Sequence, residues 1–291
     1  MEHRSKLEPS AEQRLEGIPS LNSFFAGVHA LEASGAIDVL ACVELFARIS
    51  SKDFATQVVN YELEKCIDEP RYLPESATDF SITLFRTAAC GLDVKVVRST
   101  YVPDSRLHGL TDDLLISVLG DETLTLDTYV QPQPIPNDVF DPSRLLIRQP
   151  DVLLTLKPQV FYAEKDVFAV GATPCDALML FFSIPSPSKL RWEYDRHTLA
   201  PTRITAADPT SSRIQFACKT LATMGYAPAA ASMQALGAHP DHHVRWTAIT
   251  SLLDLDFEIG VAALEAAQND IHPHLRAAST ASLKSLESYL L

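Results

Sequence analysis

The chain has 291 residues, of which 46% are hydrophobic and 21% are charged, and its formal net charge is −13. This composition is typical of a folded globular protein, and the length favours two domains over a single core. The negative charge predicts that neither nucleic acid nor an anionic membrane surface is a partner, because both would be repelled.

The cysteine pattern and the N-terminus predict a compartment. The five cysteines are scattered and never form a C-x-x-C pair, which favours a reducing environment. The opening segment MEHRSKLEPSAEQRLEG lacks the apolar core of a secretory signal. The longest apolar runs fall short of the roughly 20 residues that a membrane-spanning helix needs. We therefore expect a cytoplasmic protein without a membrane span.

In chain order, the first predicted elements are helices over residues 20–67. Within this segment Ala55, Val59, Leu63 and Cys66 recur at helical spacing and form one apolar stripe. The polar segment DEPRYLPES, which contains two prolines, then ends the helical region.

From about residue 80 to 205 the sequence has the two-residue period of β-strands. Apolar and polar residues alternate, as Leu92 and Val94 do with Asp93 and Lys95. About ten short strands without an intervening helix predict an antiparallel barrel or sandwich. The segment YVQPQPIPNDVFDP carries four prolines and is predicted to be a loop over one mouth of the barrel.

From residue 207 onward the periodicity is helical, and three helix starts are alike: SSRIQFACKTL, HHVRWTAITSL and HPHLRAASTASL. Their arginines are 32 and 31 residues apart, and an aspartate precedes each one in the turn. The pattern resembles short HEAT-like repeats, which implies a solenoid of helix pairs. The resemblance also implies a structural ladder between repeats, formed by Asp208, Arg213, Asp241, Arg245, Asp270 and Arg276.

The histidines beside these helix starts raise the question of a metal site. His239–Pro240 recurs as His272–Pro273, each time just before a repeat helix. Proline presets the first turn of a helix, so the recurrence predicts solvated turn histidines rather than ligands. Weak divalent-metal binding is the alternative.

Two segments of the β region, PDSRLHGLTDDLLISVLGDETLTLDTY and VFYAEKDVFAVGATPCDALMLFFS, resemble the two motifs of a cupin jelly roll. A metal-binding cupin supplies three histidines and an acidic residue. This chain offers only His108 near the first position, with Asp112 or Asp113, and no histidine in the second motif. We therefore expect no metal and no cofactor. The candidate pocket residues are His108, Asp112 and Tyr129.

Together these patterns predict an α+β protein: N-terminal helices and an antiparallel β jelly roll or barrel over residues 1–206, then a C-terminal α-solenoid of short HEAT-like repeats over 207–291. The predicted function is that of a non-catalytic scaffold that binds another protein, with Trp246, His242 and His243 as the candidate partner surface. The alternative is a cupin-like small-ligand sensor or metal-dependent enzyme with its pocket in the β-barrel.

Overall fold

The computed structural model describes residues 9–69, 71–72, 77–78, 80–132, 140–187, 190–207 and 209–290. The chain forms two compact units. The first unit comprises Met1–Ile135, Pro142–Ser188 and Trp192–Arg203, and the second comprises Pro136–Asp141, Lys189–Arg191 and Ile204–Leu291. The predicted domain boundary between residues 206 and 207 stays a prediction.

Helices open the first unit, and they are α1 (Pro9–Gly17), α2 (Pro19–Ala33), α3 (Val43–Ile49) and α4 (Lys52–Asp68). Gly35 follows α2 with a φ of 69°, a left-handed conformation that glycine adopts without strain. Ser51 caps α4, because its hydroxyl accepts a hydrogen bond of 3.1 Å from the backbone N–H of Phe54.

The apolar stripe predicted for α4 is corrected by the structure. The helix buries Phe54, Val58 and Glu62, whereas Val59 and Leu63 are about half exposed, at 46% and 55%. The helix is therefore rotated by one residue relative to the prediction. The Glu62 carboxylate is drawn inward by an ion pair with the buried Arg14 of α1.

The described strands, which lie between residues 77 and 206, pair in antiparallel fashion and form three sheets. They are β1 (Ala77–Thr78), β2 (Ser81–Arg86), β3 (Gly91–Val97), β4 (Arg106–His108), β5 (Asp112–Val118), β6 (Leu124–Val130), β7 (Ile147–Arg148), β8 (Val152–Leu154), β9 (Gln159–Phe161), β10 (Asp166–Val170), β11 (Ala177–Pro185), β12 (Leu190–Asp195) and β13 (Pro201–Ala206). The largest sheet has the order β1-β2-β3-β11-β5-β9. The other sheets have the orders β10-β6-β7, with β8 paired to β6, and β13-β12-β4.

The predicted mixed α+β class with antiparallel sheets is confirmed, but among the described residues the sheets do not close into a barrel. Closure requires an unbroken ladder of hydrogen bonds around the ring. Strands such as β1, β7 and β8 have only two or three residues each, and a single bridge between Gly109 and Val167 links the end of β4 to β10.

Strand β11 lies at the centre of the largest sheet and is covered on both faces. Leu180 and Phe182 point toward α2, α3 and α4, where the rings of Phe24 and Phe182 meet edge to face at 5.4 Å. Met179 and Ala177 point the other way, into a second cluster with Ile116, Val118, Leu124, Leu126, Leu154 and Phe161. Two apolar cores therefore share one strand.

Helix α1 is fastened to the rest of the unit by Arg14, which is 1% exposed. Its Nε donates a 2.6 Å hydrogen bond to Glu62, and Nη1 donates at 3.2 Å to the backbone carbonyl of Thr83. The hydroxyl of Tyr72 donates to the other Glu62 oxygen at 2.9 Å. Burial, together with this bond to a carboxylate, raises the pKa of Tyr72 to about 12.

The second unit is helical, with α5 (Pro209–Thr223), α6 (Ala230–Ala235), α7 (His242–Leu255), α8 (Phe257–Ala267) and α9 (Pro273–Leu290). Helix α7 packs against α5, α6 and α8, and α8 packs against α9. The predicted solenoid is not shown. Helix α6 has only six residues and lies between two short 3-10 turns. The helix pair that begins with α5 therefore lacks a full second helix. Within the residues that the structure describes, no helix is long and apolar enough to cross a bilayer.

Replacing Arg14 by methionine is expected to lower the free energy of unfolding of the first unit by about 3–5 kcal/mol, because Glu62 is left as a buried, unpaired charge. Urea unfolding, followed by Trp192 fluorescence in a Trp246→Phe background, measures this. Lys52→Met is the control, since the Lys52–Asp121 pair is 55% and 80% exposed and should change stability by less than about 1 kcal/mol. Equal effects of the two substitutions would contradict the assigned role of Arg14.

Candidate functional site

A cavity of about 610 Å³ lies in the first unit, on the face of the largest sheet that points away from α2, α3 and α4. Its floor crosses three strands. Ser81 of β2 lies opposite Lys95 of β3, and Lys95 lies opposite Met179 of β11. The remaining described lining residues come from β3, β10, β11 and the segments beside them: Phe80, Val96, Val97, Arg98, Thr100, Tyr101, Val170 and Phe181.

Two cations stand against aromatic rings in this lining. The Lys95 ammonium lies 4.3 Å from the centroid of the Phe181 ring, and the Arg98 guanidinium lies 5.1 Å from that of Phe80. In the part of the chain that the structure describes, neither cation forms an ion pair within 4.0 Å. Each therefore keeps hydrogen-bonding capacity for a ligand.

Asp176 is the acidic residue that interacts with Arg98 at longer range. Its Oδ1 accepts hydrogen bonds from the Ser99 backbone N–H at 2.7 Å and from the Ser99 hydroxyl at 2.9 Å. These bonds hold the pKa of Asp176 below its ordinary value, and the charge of Arg98 lowers it further. Among the described residues Asp176 forms no ion pair with Arg98 within 4.0 Å, and Arg98 stays in the cavity lining beside Phe80.

The described lining includes no histidine, cysteine, aspartate or glutamate. Histidine and carboxylates are the most frequent general bases of enzymes, whereas the lysine, serine and tyrosine present in this lining need activation by a neighbouring group. The apolar floor, two cations and hydroxyls of Ser81, Thr100 and Tyr101 can instead bind and orient a molecule. The arrangement is that of a ligand pocket with a small number of polar contacts.

None of the three predicted pocket residues lines this cavity. Asp112 begins β5, where burial raises its pKa despite a hydrogen bond from Thr111. Tyr129 is 2% exposed on β6 and packs beneath the guanidinium of Arg148 at 5.7 Å. His108 lies on β4, opposite Glu193 of β12. The assignment of these residues to a pocket stays a prediction.

The sequence did carry one signal for Lys95. The alternation in LDVKVV separates Leu92 and Val94 from Asp93, Lys95 and Val97. In the structure Asp93 is only 8% exposed and Val97 packs against the second core, whereas Lys95 between them is exposed. A lysine between two such residues marks the rim of a covered face.

Glu193 is a buried carboxylate in the smallest sheet, with 1% exposure. Arg203 of β13 holds it with two hydrogen bonds, of 2.7 Å from Nε and 3.0 Å from Nη2. Arg106 and His108 of β4 lie 3.7 and 3.9 Å from its oxygens. The hydrogen bonds from Arg203 lower the pKa of Glu193 below its ordinary value. This carboxylate therefore ties three strands together.

A cupin resemblance implies a metal site, and the described residues do not fit one. No group of three or more histidine, cysteine, aspartate or glutamate side chains converges among them. His108 has Glu193 beside it, but that carboxylate already accepts two bonds from Arg203. The expected absence of a metal and of any cofactor stays a prediction.

In the second unit, Arg245 joins two helix starts. It is 4% exposed and donates to both oxygens of Asp270, at 2.9 and 2.7 Å. Arg276 donates to the backbone carbonyl of Asp270 at 2.7 Å, and the Ser211 hydroxyl donates to Asp241 at 2.8 Å. Arg213 is exposed, and Asp208 lies outside the described residues. The ladder role assigned to these residues as a set stays a prediction.

The predicted partner surface lies at the same helix starts. The rings of His242 and His272 stack in parallel, with centroids 3.6 Å apart and planes at 2°. Imidazole lone pairs lie in the ring plane, so two rings stacked in this way cannot point at one metal ion. His243 meets His242 edge to face at 5.5 Å. Trp246 is partly buried against a cluster of Ile249, Leu264, Ala267 and Leu275, because helix α7 is covered around most of its circumference.

No protein-family model matches the sequence, and no curated protein matches it either. The chain is similar to a crystal structure of DMSP lyases, with 10% identity over 61% of this chain and 95% of that one and a TM-score of 0.31. It is also similar to hydroquinone 1,2-dioxygenase from Sphingomonas sp. TTNP3, with 10% identity over 38% and 69% of the two chains and a TM-score of 0.27. A third similar structure is a sugar phosphate isomerase from a cupin superfamily of Silicibacter pomeroyi, with 14% identity over 48% and 85% and a TM-score of 0.22.

These comparisons correct the predicted function. The three similar structures are named as enzymes, one of them from a cupin superfamily, and none of the three is named as a scaffold. They give no support to the resemblance of the C-terminal third to HEAT-like repeats. At these identities and TM-scores the likeness identifies no reaction, ligand or functional residue.

Replacing Arg203 by methionine is expected to lower the melting temperature of the protein at neutral pH, because the buried Glu193 carboxylate loses two charge-assisted hydrogen bonds. The folded-state pKa of Glu193 is depressed, so this stabilisation is present above the unfolded value and is lost as the pH falls through the folded one. The difference from the parent should therefore shrink below about pH 4.3, the ordinary glutamate value.

Thermal unfolding measured across this pH range tests the prediction, with Arg48→Met as the control. Arg48 is an exposed arginine of α3, so its replacement should leave the pH dependence of stability unchanged. A destabilisation by Arg203→Met that persists undiminished at low pH would show that the Arg203 side chain stabilises by packing alone.

Proposed function

We propose that the protein binds a small organic molecule in the 610 Å³ cavity of the first unit. Ligand pockets commonly measure about 300–1,000 Å³ and combine an apolar lining with a few polar groups. The floor residues Val97, Met179 and Phe181 supply the apolar surface, and Lys95 and Arg98 supply directed polar contacts. This combination on one sheet face is the observation that carries the proposal.

Of the two parts of the alternative hypothesis, ligand sensing is favoured over metal-dependent catalysis. The described lining contains groups that bind and orient, and it lacks histidine and carboxylates, the side chains that enzymes most often use for proton transfer. The described residues also offer no converging set of metal ligands. A binding protein needs neither, and the cavity meets its requirements for volume and surface.

Composition supports two further proposals. The net charge of −13 disfavours nucleic acid and anionic membranes as partners. All five cysteines are free, including the exposed Cys66 and Cys175, which favours a reducing compartment such as the cytoplasm. Binding of another protein is a separate proposal, and the cavity of the first unit does not bear on it.

The neutral fluorophore N-phenyl-1-naphthylamine is expected to bind the full chain with an increase in fluorescence. Val97→Phe should weaken this binding at least tenfold, because the added ring occupies the cavity floor. Fluorescence titration measures the dissociation constants. Val102→Phe is the matched control, since Val102 is 82% exposed and lies outside the lining, and it should bind the probe as the parent does.

Thermal unfolding of both variants ensures that a loss of binding by Val97→Phe is not a loss of fold. The proposal is overturned if the parent does not bind the probe, or if a folded Val97→Phe protein binds it with unchanged affinity.

A further inference from the structure

We infer that the ligand of this cavity is an organic acid: a molecule with one anionic group, held by Lys95 and Arg98, and an apolar ring or chain that packs on Val97, Met179 and Phe181. This inference rests on the proposed function and specifies the class of ligand. It is carried by the positions of these two cations in the lining of one cavity.

Lys95 is placed by the strand register with its side chain at the cavity. It lies opposite Ser81 on one side and Met179 on the other, both of which line the same floor. Its ammonium lies 4.3 Å from the Phe181 centroid and, in the described part of the chain, has no carboxylate within 4.0 Å. Lys95 is exposed, so its value to an anion lies in its position beside the apolar floor and in donors that no described carboxylate occupies.

Arg98 supplies a second donor at the end of the same strand. Its guanidinium stacks on Phe80 at 5.1 Å, and this contact leaves the N–H groups at the guanidinium edge available for a carboxylate. Asp176, the acidic residue that Arg98 influences, has its Oδ1 bonded to both the N–H and the hydroxyl of Ser99. Asp176 lies outside the described lining and forms no ion pair with Arg98 within 4.0 Å, so Arg98 keeps donors for an external anion.

The absence of acidic residues from the described lining decides the sign of the ligand charge. The chain has 37 acidic and 24 basic residues, yet the described wall of this cavity includes two basic residues and no acidic ones. A cationic ligand would be repelled by both cations, and a neutral one would leave their hydrogen-bonding capacity to water. An anion with an apolar body is complementary to the charges and to the apolar floor.

Two probes that share one skeleton test the inference on the full chain. N-phenyl-1-naphthylamine is neutral, and 1-anilinonaphthalene-8-sulfonate is the same molecule with a sulfonate. The measured quantity is the ratio of their dissociation constants, neutral over anionic. Lys95→Met is expected to lower this ratio about tenfold, as the loss of one charge-assisted hydrogen bond predicts. Arg98→Met should lower it by a similar factor, and Lys95→Arg should restore most of it.

Lys65→Met is the matched control. Lys65 also stacks on an aromatic ring, that of Tyr61 at 5.5 Å, but it lies on α4 outside the cavity lining. This substitution removes the same charge and should leave the ratio unchanged. Competition of the sulfonate probe by decanoate and by decanol then compares an acid with the alcohol of the same chain, and decanoate should be the stronger competitor.

The possible failures are distinguishable. If neither probe binds the parent, the proposed function fails. A second outcome is that both probes bind and Val97→Phe weakens both, while Lys95→Met and Arg98→Met leave the ratio unchanged. The cavity then binds apolar molecules without regard to charge, and only the present inference is overturned. If Val97→Phe weakens the neutral probe but not the sulfonate, the anion binds elsewhere, and the inference is again overturned.

Discussion

The packing of β11 on both of its faces is the constraint on which the first unit depends. A central strand that pairs with β3 and β5 along its length has its backbone hydrogen bonds fixed, so its side chains must fill space on both sides. Phe182 completes the aromatic cluster beneath the helices, and Met179 completes the second core. The cavity floor is the continuation of that second face, where Phe181 meets Lys95 and the opposing sheet no longer covers it.

Buried charges fix the elements that surround this frame. Arg14 links α1, α4 and β2, and Glu193 links β4, β12 and β13. In each case a charge that would be costly to bury alone is held by a partner of opposite sign with short hydrogen bonds. Lys95 and Arg98 differ from these residues, because each stands at a cavity without a described carboxylate in contact. The presence or absence of a carboxylate in contact distinguishes a structural ion pair from a cation that is available for binding.

Local patterns predicted the elements better than they predicted the surroundings of those elements. The segment LRWEYD alternates Leu190, Trp192 and Tyr194 with polar residues, and these three are at most 6% exposed. A regular alternation would direct Glu193 to solvent, yet it is buried, because Arg203, ten residues further along, binds its carboxylate. Likewise the apolar stripe of α4 was set one residue off, because the position of Glu62 depends on Arg14, 48 residues away. The period of a strand or of a helix is a local pattern and cannot encode partners at such distances in the sequence.

The cavity was beyond prediction for the same reason. Its floor exists only when β3 pairs with β11, which brings Phe181 to Lys95 across more than 80 residues of chain, and no local pattern states which strands will pair. The overall charge of the protein pointed away from an anion site, because a net charge of −13 repels anions at long range. At an ionic strength of about 0.15 M that field decays over roughly 8 Å, so contact with nearby cations governs binding within the cavity. An acidic protein can therefore hold an anion, provided that the local wall is freed of carboxylates.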